Sequence, residues 1–165
     1  MAKKNLRRRQ TFFKKKDVGI PYCLNAQETL DTPCHLCGGE IIYTENKIIF
    51  NENKGLGVCY YCTGCEAMTS CHKKKEKLKD GTYVHSPMGI VAGKEMRQLR
   101  LRCHQLLDVK WRINRTMKRS TAYHKLAIGM GIPYNTCHIS WMDEEQLLYA
   151  LDVLMNTPWT KNRFD

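Results

Sequence analysis

The sequence lacks any long hydrophobic run. No stretch approaches the roughly 18–20 consecutive apolar residues of a membrane-spanning helix, although 42% of the 165 residues are hydrophobic. The basic N-terminus also lacks the apolar segment of a secretory signal, because its first basic residues are followed by only two adjacent large apolar residues, Phe12 and Phe13. We therefore expect a cytoplasmic protein with no membrane partner, whose length fits one domain with appendages.

Features of catalysis are also scarce. The sequence contains no glycine-rich phosphate loop and no second cluster of acidic metal ligands. His104 and Asp108 are four residues apart in a predicted helix, where Asp108 could orient His104 as a general base. The same pair fits a buried hydrogen bond that joins two parts of the fold. A non-catalytic protein is therefore expected, and a metal-dependent nuclease is kept as an alternative.

Cysteine, in contrast, is abundant. Nine cysteines are present, and their odd number and the missing export signal argue against a disulfide framework. Cys34 and Cys37 form one C-x-x-C pair, and Cys62 and Cys65 form a second, with 24 residues between the pairs. Two such turns, here called the first and second knuckle, can hold one Zn²⁺ in a closed tetrahedral site. An iron–sulfur cluster would use the same cysteines and is the less favoured metal centre.

Other potential ligands lie close to the second knuckle in the sequence. Cys59 and Cys62 are also spaced C-x-x-C, and Cys71 or His72 could replace a ligand or form a second site. Residues 57–61 are typical of a strand that leads into the second knuckle, which favours Cys62 and Cys65 as ligands. The remaining three cysteines have no spaced partner and are interpreted as buried small side chains: Cys23, Cys103 and Cys137.

The order of segments predicts an α+β protein, in which a small zinc-knuckle β-hairpin unit packs with about three α-helices. Residues 1–17 are interpreted as a flexible basic arm and 18–33 as a connector. Residues 34–70 form the zinc-binding β unit, in which 40–43 and 47–50 are the strands of a hairpin. A basic loop at 71–92, a helical part of the same domain at 93–157 and a tail at 158–165 complete the chain.

Three helices are predicted from apolar periodicity and capping residues. The first spans about 92–113 and carries an apolar stripe with basic residues mainly off it. The second runs from Ser120, a possible cap, to about residue 129. The third begins after Asp143. The expected buried residues of the first helix are Met96, Leu99, Cys103 and Leu106, and those of the third are Leu147, Leu148, Leu151 and Leu154.

Positive charge is concentrated in two segments. The net charge is +11, of which residues 1–17 carry +7 and residues 94–119 another +7, whereas residues 139–165 carry −3. Such a field attracts nucleic acid or an acidic protein surface, although a solvated helix face would look the same. The candidate binding residues are Arg7, Arg8, Arg9, Lys14, Lys15, Lys16, Arg97, Arg100 and Arg112.

A chain of motifs extends over roughly residues 33–155. The motifs are C-x-x-C-G-G from Cys34, C-x-x-C-x-A from Cys62, Pro87-x-Gly89-x-x-Ala92, and L-R-x-R-x-H-x-x-x-D-x-x-W from Leu99. This chain of motifs resembles a bacteriophage and prophage family known as a zinc-finger-containing domain of unknown function. The resemblance implies zinc, a small α+β fold and a mobile-element origin, but no reaction. The expected location is the cytoplasm of a bacterial host. Fourteen residues separate His72 from Pro87, so that either His72 or His85 corresponds to the family's histidine.

Two binding hypotheses follow. The first is a structural-zinc protein that binds nucleic acid or a nucleic-acid-processing machine, with the basic arm and helix face on the phosphates. The second follows from the phage resemblance alone. It is an inhibitor of a host defence effector, an anti-CRISPR protein directed at Cas9. Capture of one host nuclease that survives nuclease treatment would favour the second hypothesis.

Overall fold

The computed structural model describes residues 23–113 and 117–159. The predicted arm at 1–17, the first five residues of the connector (18–22) and most of the tail therefore lie outside the described residues. Five helices and four strands occupy the described part, which confirms the α+β class. They are α1 (Ala26–Asp31), β1 (Ile41–Glu45), α2 (Asn46–Phe50), β2 (Val58–Cys62), β3 (Met68–Lys77), β4 (Tyr83–Pro87), α3 (Lys94–Ile113), α4 (Arg119–Met130) and α5 (Glu144–Asn156).

The four strands form one antiparallel sheet in sequence order, β1-β2-β3-β4. β1 runs beside β2 from the pair Ile41 and Cys62 to the pair Glu45 and Val58. This register places the first knuckle, which precedes β1, beside the second knuckle, which follows β2. The sheet therefore positions the metal site.

The predicted hairpin of 40–43 with 47–50 is wrong in its second strand. Residues 46–50 form the short helix α2, and the strand that pairs with β1 is β2. The apolar residues 48–50 resembled a strand, but they do not pack on the sheet in the way a strand residue would, and Ile48 is 72% exposed. Asn46 is buried and fixes the turn, because its side chain donates to the Lys54 carbonyl (2.6 Å) and its N–H donates to the Gly57 carbonyl (2.8 Å).

The predicted basic loop at 71–92 is also wrong over most of its length. Residues 68–77 and 83–87 form the β3–β4 hairpin, closed by a turn in which Thr82 N–H donates to the Asp80 carboxylate. The lysine-rich strand β3 shows no apolar alternation, because most of its side chains point to solvent. Its pairing with β4 is made by backbone hydrogen bonds, which leave no pattern in the sequence. The predicted connector likewise contains α1, which begins with a capping box between Asn25 and Glu28.

The three long helices agree closely with the prediction. α3 buries Met96 and Cys103 as expected, whereas Leu99 and Leu106 are only half-buried. α4 begins one residue before Ser120, with Lys118 in the N-cap position, so Ser120 is not the cap. α5 has the predicted Asp143 cap, which forms a capping box with Gln146 and contributes about 1 kcal/mol.

Burial on α5 is narrower than the leucine spacing suggests. Leu147 and Leu154 are buried, whereas Leu151 is half-buried and Leu148 is 50% exposed. One core lies among the three helices and a second lies under the sheet, around Tyr60. No helix in the described part of the chain is both long and apolar enough to cross a bilayer.

Residues 88–92 join the sheet to the helices. Ala92 exchanges two backbone hydrogen bonds with Met68 of β3, at 3.0 and 3.1 Å. Ile90 N–H donates to the Ser140 carbonyl, and a Cβ on Gly89 would lie only 2.0 Å from that same oxygen. Glycine is therefore required at position 89 for the helical part to approach the sheet.

The Gly89→Ala variant tests this junction. The added methyl group must push the 140 region away, and we expect a loss of about 2–3 kcal/mol in the free energy of unfolding. Gly93→Ala is the matched control, since its Cβ would meet only the Glu95 carboxylate at 4.0 Å; we expect it to cost less than about 1 kcal/mol. Denaturant unfolding followed by circular dichroism measures both, and equal losses would contradict the close approach.

Candidate metal centre

The two knuckles have the same local structure. In the first, Cys34 N–H donates to the Gly39 carbonyl (2.9 Å) and Gly38 N–H donates to the Cys34 carbonyl (2.7 Å). In the second, Cys62 N–H donates to the Ala67 carbonyl (2.8 Å) and Glu66 N–H donates to the Cys62 carbonyl (3.1 Å). Each turn thus closes on itself and points its two thiols the same way.

Each knuckle needs a left-handed residue at the fourth position after its first cysteine. Gly38 takes that conformation with φ +74°, at no steric cost. The second knuckle uses Glu66 with φ +59°, where a side chain raises the backbone energy by about 1–2 kcal/mol. A glycine that directly follows a C-x-x-C pair, as Gly38 does, is a signal that can be recognised in the sequence, whereas Glu66 gives no such signal.

The four sulfur atoms converge between the knuckles. The Sγ atoms of Cys34 and Cys65 are 3.6 Å apart, those of Cys37 and Cys62 are 3.5 Å apart, and all four lie within 4.8 Å of one another. Zn–S bonds of about 2.3 Å in a tetrahedron require sulfur separations of about 3.8 Å, whereas a disulfide requires about 2.05 Å. The cluster therefore fits a four-thiolate Zn²⁺ site and leaves no coordination position open for substrate.

Backbone N–H groups support the negative charge of the thiolates. Gly39 N–H lies 3.3 Å from Cys37 Sγ, and Gly64 N–H lies 3.4 Å from Cys62 Sγ. Burial raises the pKa of Cys62. The N–H groups of Cys65 and Gly64 and the neighbouring thiols lower it by more than burial raises it, so that the pKa is about 7. Such an arrangement favours metal binding, because zinc takes the deprotonated sulfur.

The alternative ligands lie elsewhere. The four cysteines of the knuckles are the only group of three or more potential ligands that the described residues bring together. Cys59 is buried within β2, and burial raises the pKa of Cys71 to about 12, so that this thiol stays protonated. His72 is exposed on β3, and its carbonyl accepts a hydrogen bond from His85 Nδ1 (2.9 Å). Cys103 and Cys137 are buried as expected, but Cys23 is exposed, contrary to its interpretation as a buried side chain.

His104 and Asp108 point to separate partners. His104 Nδ1 donates to the Arg100 carbonyl (2.9 Å), and burial lowers the pKa of its ring. The Asp108 carboxylate accepts from Trp111 Nε1 (2.8 Å) and pairs with Arg112 (3.4 Å). These contacts serve the packing of α3, so the pair gives no geometric support to a nuclease.

The candidate binding residues fall into three groups. Arg97 and Arg112 of α3 are exposed, as expected, and Arg112 carries the ion pair to Asp108. Arg100 is a correction: it is only 8% exposed, its Nη1 donates to the Ile90 carbonyl, and burial lowers its pKa to about 10. The other six lie outside the described residues: Arg7, Arg8, Arg9, Lys14, Lys15 and Lys16.

The lysines of the β3–β4 hairpin were missed as binding candidates. The run from Lys73 to Lys79 was visible in the sequence, but its assignment to a loop hid the fact that a strand presents these charges along one rigid element. Recognising that this run pairs with residues 83–87 would have identified it as a strand of a hairpin.

The fold and the thiol cluster define a class, that of small α+β proteins built around a structural four-cysteine zinc site. Within this class, the model of a zinc-finger-containing domain family of unknown function matches residues 30–157, and the chain belongs to this family. No curated protein and no solved structure matches the chain.

Loss of a thiolate tests the ligand set. Cys34→Ser or Cys65→Ser should lose the bound zinc and unfold the β unit, because the metal supplies much of the folding free energy of so small a sheet. Cys23→Ser is the matched control, since Cys23 is outside the cluster. Elemental analysis and thermal melting measure the result. Full zinc content with native melting in either ligand variant would show that the set is misassigned.

Two adjacent glycines separate backbone strain from crowding of the metal. A Cβ on Gly38 would meet nothing within 4 Å, so Gly38→Ala should cost about 1–2 kcal/mol in stability and leave zinc affinity nearly unchanged. A Cβ on Gly39 would lie 3.1 Å from the sulfurs of both Cys37 and Cys62. Gly39→Ala should therefore weaken zinc binding in a chelator competition, and equal zinc affinities for the two variants would contradict the geometry.

Proposed function

We propose that the protein binds nucleic acid without catalysing a reaction, and that its zinc fixes the surface that makes contact. The observation that supports this most directly is the β3–β4 hairpin. It carries five lysines, at positions 73, 74, 75, 77 and 79, against two carboxylates, Glu76 and Asp80. All five lysines are exposed, as contacts to phosphates require.

The two carboxylates of the hairpin are occupied within the fold. Glu76 Oε2 accepts the N–H of Ala26 at the start of α1 (2.6 Å), and Asp80 accepts from Thr82 in the turn. Lys79 pairs with Asp31 at the other end of α1 (2.7 Å). The described residues place no carboxylate within 4 Å of the ammonium groups of Lys73, Lys75 or Lys77. These three are the charges best placed to meet phosphates.

The hairpin is held rigidly to the zinc unit. β3 pairs with β2, whose last residue Cys62 is a cysteine of the metal cluster, and α1 packs against β1 and β4. A rigid row of cations makes phosphate contacts at a smaller entropic cost than a flexible loop would. The exposed Arg97 and Arg112 and the basic segment 1–17 extend the same proposal to further phosphates.

The biological setting belongs to the same proposal. The motif resemblance points to a phage or prophage origin. The proposed action is on nucleic acid, or on a nucleoprotein complex such as a CRISPR effector, in a bacterial host cytoplasm. A protein-directed inhibitor has no specific structural observation in its favour, and it is treated as an outcome of the test.

Salt dependence of binding tests the function. We expect binding in the micromolar range or tighter to mixed-sequence oligonucleotides in fluorescence anisotropy, with log affinity falling steeply against log salt. Lys75→Gln with Lys77→Gln should weaken binding and make the slope shallower by about 1–2 units. Lys94→Gln with Lys118→Gln removes the same charge from exposed sites at the starts of α3 and α4, and it should weaken binding less than the hairpin pair does.

Two results would overturn the proposal. One is binding that does not vary with salt, or no binding at all. The other is stoichiometric capture of a single host nuclease that persists after nuclease treatment, which would favour the inhibitor.

A further inference from the structure

A wide cleft opens on the zinc unit beside the hairpin. It has a volume of about 940 Å³ and lies between the 54–56 turn and the beginning of β3. Its apolar lining comes from Leu56, Val58, Cys71 and Met88. Leu56 and Met88 are 38% and 40% exposed, so apolar surface is open to a ligand. Because the Cys71 thiol stays protonated, this floor is also uncharged.

Lysine side chains line the same cleft. Lys54 lies on one side and Lys73 and Lys74 lie on the other, beside His72, and no carboxylate is among the lining residues. Lys54 pairs with Glu52 (2.8 Å) and Lys74 with Glu76 (3.7 Å), both outside the lining. In each pair the lysine side chain is at least 74% exposed. Exposed ion pairs contribute little free energy, so a phosphate can replace the carboxylate as the partner of the lysine.

An irregularity in the sheet produces this lining. The register of β3 against β4 shifts between Cys71 and Lys75, and five consecutive residues, 70–74, line the cleft. In a regular strand, neighbouring side chains point to opposite faces. A bulge redirects side chains locally, and here it puts the apolar Cys71 and the basic Lys73 and Lys74 around one cavity.

We infer that this cleft binds single-stranded nucleic acid, with unpaired bases on the apolar floor and phosphates on the lysines. This inference rests on the proposed function and specifies the form of the ligand. A duplex keeps its bases stacked inside and offers phosphates alone, so it leaves an apolar floor unused. A single strand offers base faces and phosphates together. Grooves for single strands combine positive charge with side chains on which the bases lie, usually aromatic ones. In this cleft the imidazole of His72 and the aliphatic side chains of Leu56 and Met88 take that place. An acidic peptide meets the lysines but brings no flat apolar group at each charge.

The first experiment compares strand forms on the full chain with its zinc. Anisotropy titrations use a labelled 12-nucleotide thymidine oligomer and a duplex of equal length at one salt concentration. We expect the single strand to bind about tenfold tighter. Polyglutamate of equal charge should fail to displace it. Equal affinity for the duplex, or displacement by polyglutamate, would overturn the inference while leaving salt-dependent nucleic-acid binding intact.

Substitutions locate the binding. Lys73→Gln with Lys74→Gln should reduce single-strand affinity about tenfold or more, whereas the charge-matched Lys94→Gln with Lys118→Gln should not. Leu56→Ser removes floor contact without changing charge and should weaken the single strand more than the duplex. Leu101→Ser is its control, since Leu101 is 58% exposed on α3. Zinc content and melting temperature verify folding of each variant. Unchanged single-strand affinity in both cleft variants would overturn the assignment.

Discussion

The pairing of β1 with β2 beside the metal is the constraint on which the structure depends. Five residue pairs make up this ladder, and a two-stranded ribbon of that length has little stability in water by itself. Because Ile41 lies opposite Cys62, the ladder brings the two knuckles into contact, and an ion held by four thiolates in turn fixes the register of the ladder. Metal site and sheet are therefore one cooperative unit, to which the hairpin of β3 and β4 is attached through β2.

Residues 88–92 connect this unit of metal site and sheet to the helices. The segment bonds to Met68 of β3 on one side and to Ser140 on the other, and the buried Arg100 donates to its Ile90 carbonyl. His35, inside the first knuckle, contacts the Val91 carbonyl through Nε2 at 2.8 Å. The helical core is thus joined to the metal unit through hydrogen bonds to the backbone of residues 88–92.

The sequence predicts those parts whose signal is local. Spacing of Cys34, Cys37, Cys62 and Cys65 indicated the cluster, and apolar periodicity with the Asp143 cap indicated the helices. The sheet was harder, because the partner of β1 depends on how the knuckles meet, and the Ile48-Ile49 run resembled the nearer partner. The lysine strand of β3 carries no apolar alternation, and Arg100 carries a charge that normally marks a surface. Both depend on tertiary contacts that no window of residues contains.

The position of the thiols along the chain has a consequence for synthesis. The last of the four cysteines is residue 65, and the β1–β2 ladder ends at Cys62, before any residue of α3 to α5 is made. Nascent chains fold in the order in which complete units leave the ribosome. The metal unit can therefore load zinc while the helices are still being translated, and the helices then assemble on a surface that is already formed.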